Sequence, residues 1–223
     1  MSSILSFDEL NIQCGKRRSE PYKEYFEKMQ ISEKEKKQRI AFSEQMEEAI
    51  LYIFALVETM LETGEIDREY IKSQLQEKYT EIASSYAEID PYIQNYIIEF
   101  SRQIVDTTFS HLPESNSEDE SSTSDNAYYL SNDRAMFISE CEANTLLNYK
   151  AHVDAVESGK TYKTWVDIGD ERERPTHLEV GGTKIPIDEA FAVGNSLLMF
   201  PHDTSLGAES KEIVNCRCSV KYS

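Results

Sequence analysis

Three apolar stripes at three- and four-residue steps fill the first half of this chain, and each has its own opening signal, which commits that half to helices. The first opens with a capping box, Ser32 and Glu35, preceded by Ile31. Met46, Ile50, Ile53, Val57 and Met60 form its stripe, and Gly64 supplies the stop. Asp67 caps a second helix whose face runs Ile71, Leu75, Tyr79, Ile82, Tyr86 and Ile89. Asp90 and Pro91 read as N-cap and first turn of a third, with Ile93, Ile97, Phe100 and Ile104. Short connections between such stripes predict antiparallel packing, a helical hairpin or small bundle.

The segment PESNSEDESSTSDN, Pro113 to Asn126, has no apolar residue and carries Glu114, Glu118, Asp119, Glu120 and Asp125. It cannot bury enough surface to offset its ordering entropy and reads as an acidic flexible linker. Beyond it Ser131 or Asn132 can cap a fourth helix that runs to about Ser158, with Gly159 as its stop. The period then changes to two. Tyr162, Thr164, Val166 and Ile168 alternate with Lys163, Trp165 and Asp167, and Cys216, Cys218, Val220 and Tyr222 alternate with Asn215, Arg217, Ser219 and Lys221. Gly181 and Gly182 suggest a turn into a strand over Thr183 to Ile187. The expected class is α+β: a helical N-terminal domain (1–112), an acidic linker (113–127) and a small α+β module (128–223) of one long helix and a short sheet.

Composition narrows the function. With 39% apolar residues in 223, a packed core is within reach. No stretch provides the ~20 consecutive apolar residues of a membrane helix, because Glu58 interrupts Ala49 to Met60. The start MSSILSFDELN has neither the basic beginning nor the apolar run of a signal peptide, so the expectation is an unexported protein without a membrane partner. Cys14, Cys141, Cys216 and Cys218 are too scattered for a disulfide framework and read as thiols. A net charge of −18 disfavours wrapping around DNA and favours a protein partner. Lys16 to Arg18 and Lys34 to Arg39 are the basic clusters that could meet DNA or an acidic surface, with a solvated helix face as the plainer use.

In the second half the motifs fall into a recognisable order: a helix with Glu142 and Asn148, a strand with Trp165, the loop DERERPTH (Asp170 to His177), Gly182 with IPIDEAF, FPHD (Phe200 to Asp203), and NCRC (Asn215 to Cys218). Over roughly residues 130 to 223 this resembles the Mu F-like head-morphogenesis domain of tailed-phage minor head proteins. The D-x-R-x-R-x-x-H loop together with a terminal NCRC is the specific part. The resemblance implies a minor capsid protein found in the virion head and assembled in the bacterial host cytoplasm. Its implied partners are the portal protein, capsid or scaffold proteins and packaged DNA, with roles in head assembly and in DNA packaging or ejection.

Read as chemistry, Asp170, Arg172, Arg174 and His177 share one loop, where a carboxylate and two guanidiniums can lock irregular backbone. Glu142 and Arg217 are further candidates for that charged cluster, and a structural role is preferred to catalysis. A rival reading makes His177 and Asp170 an acid–base pair, with Arg174 steadying a phosphate, as in a nuclease-like or toxin domain. There is no Walker loop, GxSxG, HExxH or glycine-rich dinucleotide turn, so the expectation is a non-enzyme. A third reading is a zinc-stabilised interaction module, with Cys216 and Cys218 on one strand face and His177 beside them. Some relatives carry a Cys pair in the loop and a His before NCRC, which implies a full ligand set. Here Arg174 and His177 stand in the loop, Glu212 and Ile213 precede NCRC, and His202 is the remaining histidine that could complete a site. Buried thiols without a cofactor are therefore the preferred expectation.

Overall fold

The computed structural model describes residues 21–112 and 127–223, so Cys14, the Lys16 to Arg18 cluster and residues 113–126 of the expected linker lie outside the described residues. The helices are α1 (Tyr22–Glu27), α2 (Glu33–Thr63), α3 (Arg68–Ser84), α4 (Pro91–Ser110), α5 (Asn132–Glu157), α6 (Pro175–Val180) and α7 (Ser210–Ile213). The strands are β1 (Tyr162–Val166), β2 (Lys184–Pro186), β3 (Phe191–Val193), β4 (Ser196–Leu198) and β5 (Ser219–Tyr222). The chain is thus α+β, with helices first and a small antiparallel sheet after them. No helix of the described residues is long and apolar enough to cross a membrane.

These residues divide into two compact units that do not follow chain order: Phe42–Ser139, the helical unit, and the residues up to Ala41 joined with Glu140–Ser223, the mixed unit. Composition alone places the division at 113–127. The early segment joins the mixed unit through polar contacts that no local pattern announces. Arg39 donates to Asn144 and Asn148, Gln30 donates to the Asp167 carbonyl, and Lys28 pairs with Asp170.

The helical unit forms much as its stripes dictate. Asp67 accepts from the Tyr70 N–H and Asp90 from the Ile93 N–H, both at 2.9 Å, satisfying amides that the first turn leaves without partners. Ile71, Leu75 and Tyr79 of α3 are buried, as are Ile93, Ile97, Phe100 and Ile104 of α4. One expectation fails at the end of α3. Ala83 is buried where Ile82 was expected, and the helix stops at Ser84, so Tyr86 and Ile89 lie beyond it. Tyr86 instead packs edge-on against Phe42 at 5.3 Å. At the start of α5 the Ser131 hydroxyl caps the Arg134 N–H, and the buried Arg134 guanidinium donates to the Thr108 hydroxyl and the Tyr129 carbonyl.

In the mixed unit the Ser32–Glu35 capping box opens α2 as expected. The sheet has the order β2-β1-β5, all antiparallel, with Trp165 opposite Val220 and Thr164 opposite Lys184. Strand β1 turns Lys163 and Trp165 inward. The Lys163 ammonium donates to the Met199 carbonyl at 2.7 Å, and burial lowers its pKa to about 8. Strands β3 and β4 form a separate hairpin with Val193 opposite Ser196, an element the sequence reading does not anticipate. The core gathers Trp165, Val180, Phe191, Val193, Leu198, Cys216 and Cys218.

The last strand is shorter than its alternation predicts. β5 begins at Ser219, and Asn215 has φ +59, so NCRC is a turn rather than strand.

Candidate metal centre

His177 sits on α6, a two-turn helix that Pro175 opens by fixing φ where no N–H partner is needed. Burial leaves His177 1% exposed, Cys216 2% and Cys218 1%. The imidazole Nδ1 lies 3.5 Å from the Cys216 sulfur and 3.4 Å from the Cys218 sulfur. All three candidate ligand atoms fall within 4.8 Å of one another. A small pocket between them, with room for about one water molecule, is lined by these residues and by Glu173, Arg172, Arg174 and Arg217.

Two carboxylates approach this trio. Glu173 places Oε1 3.4 Å from the Cys218 sulfur and also accepts from the backbone amides of Ile168 and Gly169. Glu212, buried on α7, holds Oε2 3.3 Å from His177 Nε2, a charge contact rather than an aligned hydrogen bond, and accepts from the Thr176 hydroxyl at 2.8 Å. The hairpin turn makes room for it. Gly194 has φ +57, and a Cβ there would lie 2.7 Å from Glu212 Oε1.

Electrostatics within the trio follow from this geometry. Burial pushes the Cys216 thiol up, but hydrogen bonding with Cys218 and the His177 charge outweigh it and hold Cys216 well below the usual thiol range. His177 moves the opposite way. Burial lowers it, and the neighbouring Cys216 sulfur more than compensates, so its pKa is raised. Cys218 is raised by its contact with Cys216 and then by burial.

The other expected residues are placed as follows. Trp165 packs edge-on to the His177 ring at 5.7 Å. Asp170 bonds Arg217 at 2.7 Å and Lys28 at 3.3 Å, and accepts from the Arg172 N–H, so its guanidinium partner comes from NCRC rather than from its own loop. Among the described residues no hydrogen bond or ion pair joins Asp170 to His177, so the acid–base pair of the rival reading does not form. Arg174 donates to the Val214 carbonyl. Asn148 accepts from Arg39 and donates to the Pro201 carbonyl, Glu142 is buried on α5, and Gly182 lies in the turn from α6 into β2. His202 stands outside this trio, though hydrogen bonding from it also helps to hold the Cys216 thiol low. Its Nε2 meets the Cys216 carbonyl at 2.7 Å and its Nδ1 the Thr145 hydroxyl at 3.3 Å, which occupies both ring nitrogens.

Sequence reasoning missed Glu173 and Asn144. Asn144 donates to the Cys216 carbonyl and accepts from Arg39, fixing the turn that aims the thiols. Glu173 had a signal, since it is the one acid of the loop beside both the arginines and His177. Within the basic cluster Lys34 to Arg39, Lys34 and Lys37 are exposed, whereas Arg39 is 2% exposed and turned onto the two asparagines, where burial lowers its pKa to about 10.

Compared with known proteins, residues 99–221, more than half of the chain, match the model of a family described as Phage Mu protein F like protein. The match starts inside α4, upstream of residue 130, where the motif resemblance begins. No curated protein and no solved structure matches.

Proposed function

Because the chain belongs to the phage Mu protein F like family, whose members are structural proteins of the phage head, we propose that it is a minor capsid protein. In this reading it sits with the portal inside the procapsid and contributes to head assembly and to DNA packaging or ejection. The observation that carries the reading is the family match over residues 99–221. Two features support it. Net charge of −18 suits a protein partner better than a phosphate backbone. The helices also leave Tyr52 and Tyr70 exposed, a residue type that protein interfaces favour.

The nuclease-like reading is weaker on three counts. His177 is almost fully buried, Asp170 is held by Arg217, and Arg174 is spent on a backbone carbonyl. The deciding experiment co-expresses the chain with portal, scaffold and major capsid proteins of the same phage and quantifies it in purified procapsids by mass spectrometry. Incorporation that depends on the portal is the expected result. Absence from procapsids, or RNA or DNA cleavage that His177→Ala abolishes, overturns the reading.

A further inference from the structure

We infer that His177, Cys216 and Cys218 bind a zinc ion, with a fourth position open to the pocket that Glu173 lines. Zinc takes sulfur at about 2.3 Å and imidazole nitrogen at about 2.0–2.1 Å in a tetrahedron, so a nitrogen and a sulfur on one ion lie about 3.5 Å apart. The two nitrogen–sulfur separations here are 3.5 and 3.4 Å, and all three atoms come from side chains too buried to face solvent. Two thiolates neutralise a divalent ion, which keeps the cost of burying the set low compared with an unbalanced charge.

Three further observations point to a ligand rather than to simple core packing. His177 turns Nδ1 to the sulfurs while Nε2 faces the buried Glu212 carboxylate, the arrangement by which carboxylates orient metal-binding imidazoles. The Cys218 N–H is directed at the Cys216 sulfur at 3.4 Å, so the turn supplies a backbone donor to a sulfur that also faces the ion. The Cys216 carbonyl is held by Asn144 and His202, which fixes the turn from outside the trio. The surrounding strands β3 and β4 have three residues each and β5 four, so an ion that joins the α6 loop to NCRC would crosslink a region with little regular backbone pairing. This inference rests on geometry and stands whether or not the protein works at the portal.

The test uses the full chain without a histidine tag, expressed in zinc-supplemented medium and analysed for metal by mass spectrometry after gel filtration. About one zinc per chain is expected, falling below about a tenth in Cys216→Ser, Cys218→Ser and His177→Gln. Cys141→Ser, a buried thiol on α5, should keep its zinc. Glu212→Gln should weaken zinc binding about 10–100-fold in a chelator competition. Since ligand variants can fail to fold, cobalt exchange into the wild-type chain provides a second reading: a sulfur-to-cobalt charge-transfer band with d–d bands of tetrahedral intensity. A folded wild-type chain that carries no stoichiometric zinc, shows no such band and keeps its Tm in chelator overturns the inference. So does full zinc content in the Cys216→Ser, Cys218→Ser double variant.

Discussion

In the helical unit the loss of one stripe residue leaves its neighbours at steps of three and four to hold the same face, whereas in the mixed unit single side chains have no such understudy. Ile93, Ile97, Phe100 and Ile104 repeat one role along α4. In the mixed unit the roles change from residue to residue: Trp165 fills the centre of the small core, Arg217 with Lys28 clamps Asp170, and Asn144 with His202 holds the NCRC turn. A regular helix distributes its stabilisation, and a unit built from three- and four-residue strands concentrates it.

The contrast can be broken most directly at Trp165. Trp165→Ala should destabilise the mixed unit by about 3–5 kcal/mol, the usual loss for a buried large aromatic. Hydrogen exchange of the β1 and β5 amides would register it as lost protection, and protection that survives would mean the core does not depend on that ring.

Arg217→Gln comes next. The Arg217 hydrogen bond, opposed by partial burial, holds Asp170 down to about 2. A carboxyl depressed in the folded state stabilises fully above its unfolded pKa near 4 and loses that contribution as pH falls towards 2. The variant should lose about 1–2 kcal/mol at pH 7 in urea unfolding, and the difference from wild type should vanish between about pH 4 and 2. A gap that persists at the low end would trace the stabilisation to Arg217 packing instead of to the ion pair.

Smaller effects are expected in the helical unit. Asp90→Ala removes one cap and should cost about 1 kcal/mol in urea unfolding, with the α4 stripe still formed by exchange protection. Should it exceed the cost of Arg217→Gln, redundancy is not what distinguishes the two units. Gly64→Ala should cost about 1 kcal/mol in urea unfolding, the low end of the left-handed penalty, because φ is +72 but an added Cβ meets nothing within 4 Å.

The same contrast explains what could be read from the sequence. Caps and stripes are local, so Ser32, Asp67 and Asp90 mark their helices within a few residues and the face of α4 follows from spacing alone. The phase slip to Ala83 is invisible because Ile82 satisfies the same period. The β3–β4 hairpin hides for another reason: three-residue strands are too short for an alternation to register, though Gly194 and Asn195 stand at the turn. For NCRC the alternation is present and misleading, since Asn215 adopts a left-handed backbone that removes residues 215–218 from the strand. The meeting of His177 with the thiols depends on that turn and on Asn144 and His202, which lie far from it in sequence. Motif order located these residues without giving their geometry: it offered Asp170 both the arginines of its own loop and Arg217, and only the structure selects Arg217.

Trp165 is the chain's single tryptophan, and its ring stands edge-on to the His177 imidazole at 5.7 Å. Indole emission is sensitive to the charge state of an imidazole in contact with it. The protein therefore has an optical gauge at its least redundant point: whatever proton or ion settles on His177 alters the brightness of one identifiable emitter, with no dye attached and no background from a second tryptophan.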